Sequence, residues 1–144
     1  MGDDIIHGEE GNDDIWGDDY GELMSGNDLI YGGPGADIIE GGLGDDIIHA
    51  GEDNDFFFGG PGDDILYGDG GDDRIFDESG WDTIFGGDGC DEIEAGGGGD
   101  VVWLGDCEGT ALGDQKVSID GTGDNPENFT VIMDFWLESA KPWN

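Results

Sequence analysis

Gly41-Gly42-Leu43-Gly44-Asp45-Asp46-Ile47-Ile48-His49 decides the reading of this chain, because the segments on either side repeat its pattern at fixed spacing. Gly32-Gly33-Pro34-Gly35-Ala36-Asp37-Ile38-Ile39-Glu40 directly precedes it, and Gly59-Gly60-Pro61-Gly62-Asp63-Asp64-Ile65-Leu66-Tyr67 lies one unit further on. Working outward gives one Asp column: Asp4, Asp13, Asp28, Asp37, Asp46, Asp55, Asp64, Asp73, Asp82, Asp91 and Asp100. Every step is nine residues except Asp13 to Asp28, which is fifteen; the six extra residues are Asp19-Tyr20-Gly21-Glu22-Leu23-Met24. Two positions after each Asp stands a large apolar residue: Ile6, Ile15, Ile30, Ile39, Ile48, Phe57, Leu66, Ile75, Ile84, Ile93 and Val102. Self-similarity at a fixed short period is the signature of a solenoid.

The unit has a direct physical reading. Three residues centred on the apolar column make a short strand whose middle side chain points inward, as the two-residue period requires. The six preceding residues, rich in glycine, turn the chain through backbone conformations that other residues resist. Two strands and two turns close one coil, and successive coils stack their strands in parallel about 4.8 Å apart. The Asp column then splits into two ladders. Asp28, Asp46, Asp64, Asp82 and Asp100 line one edge of the stack, and Asp37, Asp55, Asp73 and Asp91 the other.

Composition sharpens this. The 144 residues include 32 Gly, 38 Asp or Glu and only three Lys or Arg, for a formal charge of −35. Nucleic acid and anionic membrane surfaces are excluded as natural partners, since both are recognised by clustered cations. No apolar run reaches the ~20 residues of a membrane span. Such a charge would leave the chain disordered unless a counter-charge is bound. Carboxylates stacked at strand spacing repel one another, and Arg74, Lys116 and Lys141 cannot neutralise them. Hard oxygen donors without matching Cys or His select calcium, whose variable coordination suits a glycine turn better than the rigid octahedron of magnesium.

The expected metal ligands are therefore the Asp column itself. Backbone carbonyls of Gly32, Gly33, Gly35, Gly41, Gly42, Gly44, Gly51, Gly59, Gly60, Gly62, Gly68, Gly71, Gly86, Gly87 and Gly89 are expected to complete the shells. Pairing each Asp with its equivalent one coil on gives about seven ions, at 28/46, 46/64, 64/82, 82/100, 37/55, 55/73 and 73/91. Asp4 and Asp13 would bring the total to about nine if they find partners across the insertion. Asp53, Asp69 and Glu9 stand where the pattern has glycine, and Asp77-Glu78-Ser79 lack the leading glycine pair, so calcium there is expected to be looser or to gain extra ligands.

The nonapeptides quoted above resemble the RTX, or haemolysin-type calcium-binding, repeat family, whose motif is GGxGxD followed by x, a large apolar residue and x. The resemblance covers residues 2 to 103. It implies an all-β fold, a right-handed parallel β-roll (a β-solenoid with eighteen residues per coil), and calcium-dependent folding. It also implies secretion to the extracellular medium by a bacterial type I system. The expected organisation is a β-roll over residues 1–103 and a short β-rich capping segment over 104–144, with strands at 116–120 and 129–135. Met1 falls inside a repeat unit, and both ends look cut, so covalently linked domains of a larger exported protein are expected.

Three further features stand outside the motif. Leu29, Tyr31, Ile47, His49, Ile65, Tyr67, Phe85, Val101 and Trp103 form an apolar and aromatic strip on one outer face, where a solvated sheet would be polar. A packing partner for that strip is expected: the C-terminal segment, a neighbouring domain or a second roll. A second reading of function follows from it, a ligand- or partner-binding (adhesin or carbohydrate-contacting) extension of a secreted enzyme. Cys90 and Cys107, one residue short of a full coil apart, are expected to be bridged. No catalytic motif is present, and carboxylates recurring at every ninth position are ligands rather than one tuned acid and base pair. The chain is accordingly read as non-enzymatic.

Overall fold

The structure is a computed structural model, and it describes residues 2–18, 25–105, 107, 116–118 and 130–132. Fifteen strands and no helix occur among these residues. One sheet contains β1 (Ile5–His7), β3 (Leu29–Pro34), β5 (Ile47–Glu52), β7 (Ile65–Gly70), β10 (Thr83–Phe85), β13 (Val101–Trp103) and β15 (Thr130–Ile132), in that spatial order. The other contains β2 (Asp14–Trp16), β4 (Ile38–Glu40), β6 (Phe56–Phe58), β8 (Arg74–Phe76), β11 (Glu92–Glu94) and β14 (Lys116–Ser118). A short pair, β9 (Ser79–Gly80) and β12 (Gly97–Gly98), lies within the turns. Every pairing is parallel and alternate strands join opposite sheets, the arrangement of a β-roll.

Register follows the repeat. Ile30 pairs with Ile48, Ile48 with Leu66 and Leu66 with Ile84 in the first sheet; Ile39 pairs with Phe57 and Phe57 with Ile75 in the second. The insertion is absorbed without a slip, because Ile6 still meets Ile30 and Ile15 meets Ile39. A slip of one residue would turn the apolar column outward, which is why register is held so firmly. Beyond residue 103 both sheets continue: Val117 pairs with Ile93, and Val131 with Val102. The strands expected at 116–120 and 129–135 are thus found over 116–118 and 130–132, and their remaining residues lie outside those described.

The inward column is the core. Ile30, Ile39, Ile48, Phe57, Leu66, Ile75, Ile84 and Val102 are fully buried, while Ile6, in the first coil, is only partly covered. Each such side chain contributes about 1.5–3 kcal/mol of apolar burial, but a single row per strand makes a thin core. Ala50, Ala95 and Leu104, all from the first position of a turn, are also buried in it.

On the outer face of the first sheet, His7, Tyr31, His49, Tyr67, Phe85 and Trp103 stack ring on ring, with centroids 4.4–6.0 Å apart and planes within 16° of parallel. The rings of the aromatic strip cover one another's faces, as offset aromatic pairs prefer. The second sheet carries a Phe56, Phe58 and Phe76 cluster beside Glu92, which Arg74 and Lys116 approach at 3.5 and 3.3 Å. Cys90 and Cys107 form a disulfide across adjacent coils, with Cα atoms 4.7 Å apart.

Candidate metal sites

The six-residue turn explains how the ladder carboxylates are placed. In Gly41-Gly42-Leu43-Gly44-Asp45-Asp46, Gly42 and Gly44 adopt φ of 116° and 135°, and a side chain on Gly44 would collide with the Gly26 carbonyl of the neighbouring coil. Glycine is needed there twice over, for conformation and for coil-to-coil approach. The non-glycine residues read from sequence as departures keep the same backbone: φ is 78° at Glu9, 80° at Asp53 and 65° at Asp69.

Each ladder Asp from Asp28 to Asp100 then has one oxygen committed and one not. The Asp46 Oδ1 accepts the Asp28 N–H at 2.7 Å, and Asp64 Oδ1 accepts that of Asp46 at 2.7 Å. Asp82 and Asp100 extend this edge at 2.9 and 3.1 Å. On the other edge Asp55, Asp73 and Asp91 accept from Asp37, Asp55 and Asp73 at 2.8, 2.8 and 3.0 Å. The amides of Asp4 and Asp13 bond Asp28 and Asp37 at 2.8 Å each, so both ladders run on across the insertion. The second oxygen, Oδ2, is buried without any hydrogen-bond partner in Asp13, Asp28, Asp37, Asp46, Asp55, Asp64, Asp73, Asp82, Asp91 and Asp100. Asp4 is exposed and does not share this property.

Rows of buried, unpartnered carboxylate oxygens cannot stay ionised without cost. Burial pushes Asp46 and Asp91 up to about 6, Asp55, Asp64 and Asp82 up to about 7, and Asp73 up to about 8. The backbone bond to Oδ1 offsets part of this, and neighbouring carboxylates add to it. Asp28, Asp37 and Asp100 are raised for the same first reason.

A space lies beside most of the free oxygens. A Cβ on Gly41 would stand 2.6 Å from Asp46 Oδ2 and 2.6 Å from the Gly59 carbonyl oxygen of the next coil, closer than any methyl group tolerates but within calcium's ligand range. Gly8, Gly17, Gly32, Gly59, Gly68 and Gly86 leave equivalent spaces beside Asp13, Asp28, Asp37, Asp64, Asp73 and Asp91. Carbonyls of Gly32, Gly41, Gly59 and Gly86 face such spaces, whereas those of Gly33, Gly42, Gly44, Gly62, Gly71 and Gly87 lie against a glycine of the next coil. The turns ending at Asp55 and Asp100 differ, since Ala50 and Ala95 bring a methyl group to their first position. Orphaned oxygens, facing carbonyls and room between them fit a hard, large cation.

The turn ending at Asp82 has Asp77 at its first position. One carboxylate oxygen each of Asp64, Asp77 and Asp82 lies within 4.8 Å of the others, and all three residues are buried. Burial, followed by the charges of Asp82 and Asp64, drives Asp77 up to about 9.

A second, outer ladder is absent from the sequence reading. Where the residue before a ladder Asp is Asn or Asp, it too accepts a neighbouring amide: Asn27 Oδ1 from Asp45, Asp45 Oδ1 from Asp63, Asp63 Oδ1 from Trp81, and Asn54 Oδ1 from Asp72, at 2.9–3.1 Å. Its signal was the recurrence of Asn and Asp at that position, as in Asn12, Asn27, Asp45, Asn54, Asp63 and Asp72. These residues are exposed and link coils without enclosing a space.

The family profile for the RTX calcium-binding nonapeptide repeat (4 copies) matches residues 2–19, 24–57, 49–76, 58–91 and 76–106. The chain belongs to the RTX calcium-binding repeat family. No curated protein and no solved structure gave a significant match. RTX repeats form a calcium-binding β-roll and are a structural rather than a catalytic unit, and proteins that carry them are typically extracellular. No helix among the described residues is long and apolar enough to cross a membrane.

Proposed function

We propose that this RTX roll is a folding device driven by extracellular calcium, which supports the export and stability of a larger protein. The observation that carries the reading is the row of buried Oδ2 atoms with no partner, those of Asp13, Asp28, Asp37, Asp46, Asp64, Asp73 and Asp91 each beside a glycine-floored space. An ion there would be held by Asp13, Asp28, Asp37, Asp46, Asp64, Asp73 or Asp91, by the carboxylate or carbonyl of the adjoining coil, and by nearby turn carbonyls. Calcium supplies the positive charge that lets the stacked carboxylates remain ionised in the folded state, and its binding energy becomes folding energy. In calcium-poor cytosol the acidic chain would stay unfolded and pass an export channel; outside, millimolar calcium would fold it from coil to coil.

Lys116–Ser118 and Thr130–Ile132 extend the two sheets past the last regular repeat, which supports reading residues 104–144 as the segment that covers the open end of the stack over 1–103. A non-catalytic role is in keeping with the regularity of the carboxylates. The stacked rings of the strip offer mainly edges to solvent, which favours a role within the roll over sugar stacking.

Equilibrium dialysis against millimolar calcium, with magnesium as competitor, tests this. Several calcium ions per chain, retained in excess magnesium, are expected. A chain that takes up none, or loses them to magnesium, contradicts the reading.

A further inference from the structure

Asp77 breaks the repeat: among the described turns, it is the one that puts a carboxylate at the first position. At the other described turns the first position is glycine, the methyl group of Ala50 or Ala95, or Leu104. Gly59, directly beneath, has no side chain to separate the carboxylates: a Cβ there would stand 2.7 Å from Asp64 Oδ2 and 2.9 Å from Asp77 Oδ1. Asp77 Oδ1 is held by two amides, Glu78 N–H at 2.8 Å and Gly60 N–H at 3.2 Å, so the carboxylate is fixed in the space rather than turned to solvent. Its Oδ2, with those of Asp64 and Asp82, is buried and has no partner. The relative exposures are 7% for Asp77 and 1% for Asp64 and Asp82.

We propose that Asp64, Asp77 and Asp82 form a three-carboxylate calcium site that retains its ion longer than the other sites of the roll. The proposal rests on the calcium reading above and adds rank among the sites. Calcium affinity rises with the number of charged ligands and with the rigidity of the site, and this cluster exceeds its neighbours in both. Three carboxylates leave one negative charge after binding a divalent ion, so a trivalent lanthanide of similar radius should displace calcium here first. Position in the fold adds a consequence: the cluster lies in the middle of the described coils, where an early ion can order turns on both sides.

The test compares the full chain with Asp77→Asn and Asp77→Gly. Asparagine keeps the Oδ1 acceptor for both amides and removes the charge; glycine restores the repeat. Each protein is saturated with calcium and mixed with excess chelator, and ion release is followed by an indicator dye, with circular dichroism reporting the fold before mixing. The wild-type chain should release a single ion at least about tenfold more slowly than the rest, in line with one additional charged ligand. Both variants should fold in calcium and lack that slow phase. Release by Asp77→Asn identical to wild type overturns the proposal and leaves calcium-driven folding standing, because the amide bonds and a shared proton would then suffice. A wild-type chain that does not fold in calcium overturns both.

Discussion

Asp45 and Asp46 are adjacent, have the same side chain and each accept a backbone amide from a neighbouring coil, yet they do different things. The Asp45 carboxylate is exposed and takes the Asp63 N–H at 3.0 Å, while that of Asp46 is buried and takes the Asp28 N–H at 2.7 Å. The two ladders even run in opposite senses, the outer receiving amides from the following coil and the inner from the preceding one. What separates them is the fate of the second oxygen. At Asp45 it is exposed and accepts a bond from the Asn27 Nδ2–H group at 3.4 Å; at Asp46 it is enclosed without a partner, beside the Gly41 space. Acid content therefore does not define a site here. The combination of burial, an unsatisfied oxygen and an absent side chain does.

The sharpest way to break this contrast is neutralisation. In calcium, Asp46→Asn should destabilise the roll by about 3 kcal/mol, the scale for removing one partner from a buried charge pair. In chelator the sign should reverse, because the variant removes a buried charge while keeping the Oδ1 acceptor. Chemical denaturation in calcium checks the loss, and circular dichroism of the metal-free chains along a falling pH series checks the gain, with the variant folding at higher pH; a variant that matches the wild-type chain in both would equate the ladders.

Filling the space should come next. Gly41→Ala is expected to cost about 2 kcal/mol in calcium and to lower the bound-calcium count by one, since overpacking and ion displacement act together. Ala50→Gly should leave calcium content the same or higher. Atomic emission of dialysed samples distinguishes these outcomes from a general loss of folding.

Proton competition is gentler and has a definite direction. The inner carboxylates have folded-state values raised to between about 6 and about 8, above the ordinary 3.8 of the unfolded chain. A raised acid binds protons in the folded state first, so its contribution to the metal-free roll is fully present below 3.8 and is lost as pH rises through 6 to 8. The metal-free roll should gain stability as pH falls from about 8 to about 4, whereas calcium affinity should fall over the same interval because protons and calcium compete for Oδ2. Calorimetric titration and thermal melts at stepped pH would show the two trends crossing.

The smallest effect belongs to the outer ladder. Asp45→Asn should change stability by no more than about 0.5 kcal/mol with or without calcium, because the amide acceptor survives and the site is exposed. A large loss would mean that the outer row also holds ions.

The sequence made the fold legible because period, not local propensity, carried it: the column from Ile15 to Val102 became the core and the Asp column became two buried ladders. The Cys90 to Cys107 spacing likewise indicated their bridge. Other features depend on how each turn is rotated, which the period does not encode. It identified Asp46 as a ligand candidate without dividing Oδ1, bound to the Asp28 amide, from Oδ2, which is left free. It is silent on Ala50, though the inward aim of first positions makes that methyl part of the core. It marked Tyr31, His49, Tyr67, Phe85 and Trp103 as part of a strip awaiting a cover, and the structure shows ring covering ring.

Far-ultraviolet circular dichroism of the full chain, recorded in chelator and then through a calcium titration beside a magnesium control, tests the central claim most directly. A disordered spectrum that converts cooperatively to a β spectrum at millimolar calcium, and not at equal magnesium, is the predicted result. A β spectrum already present in chelator at neutral pH and unchanged by calcium would contradict it.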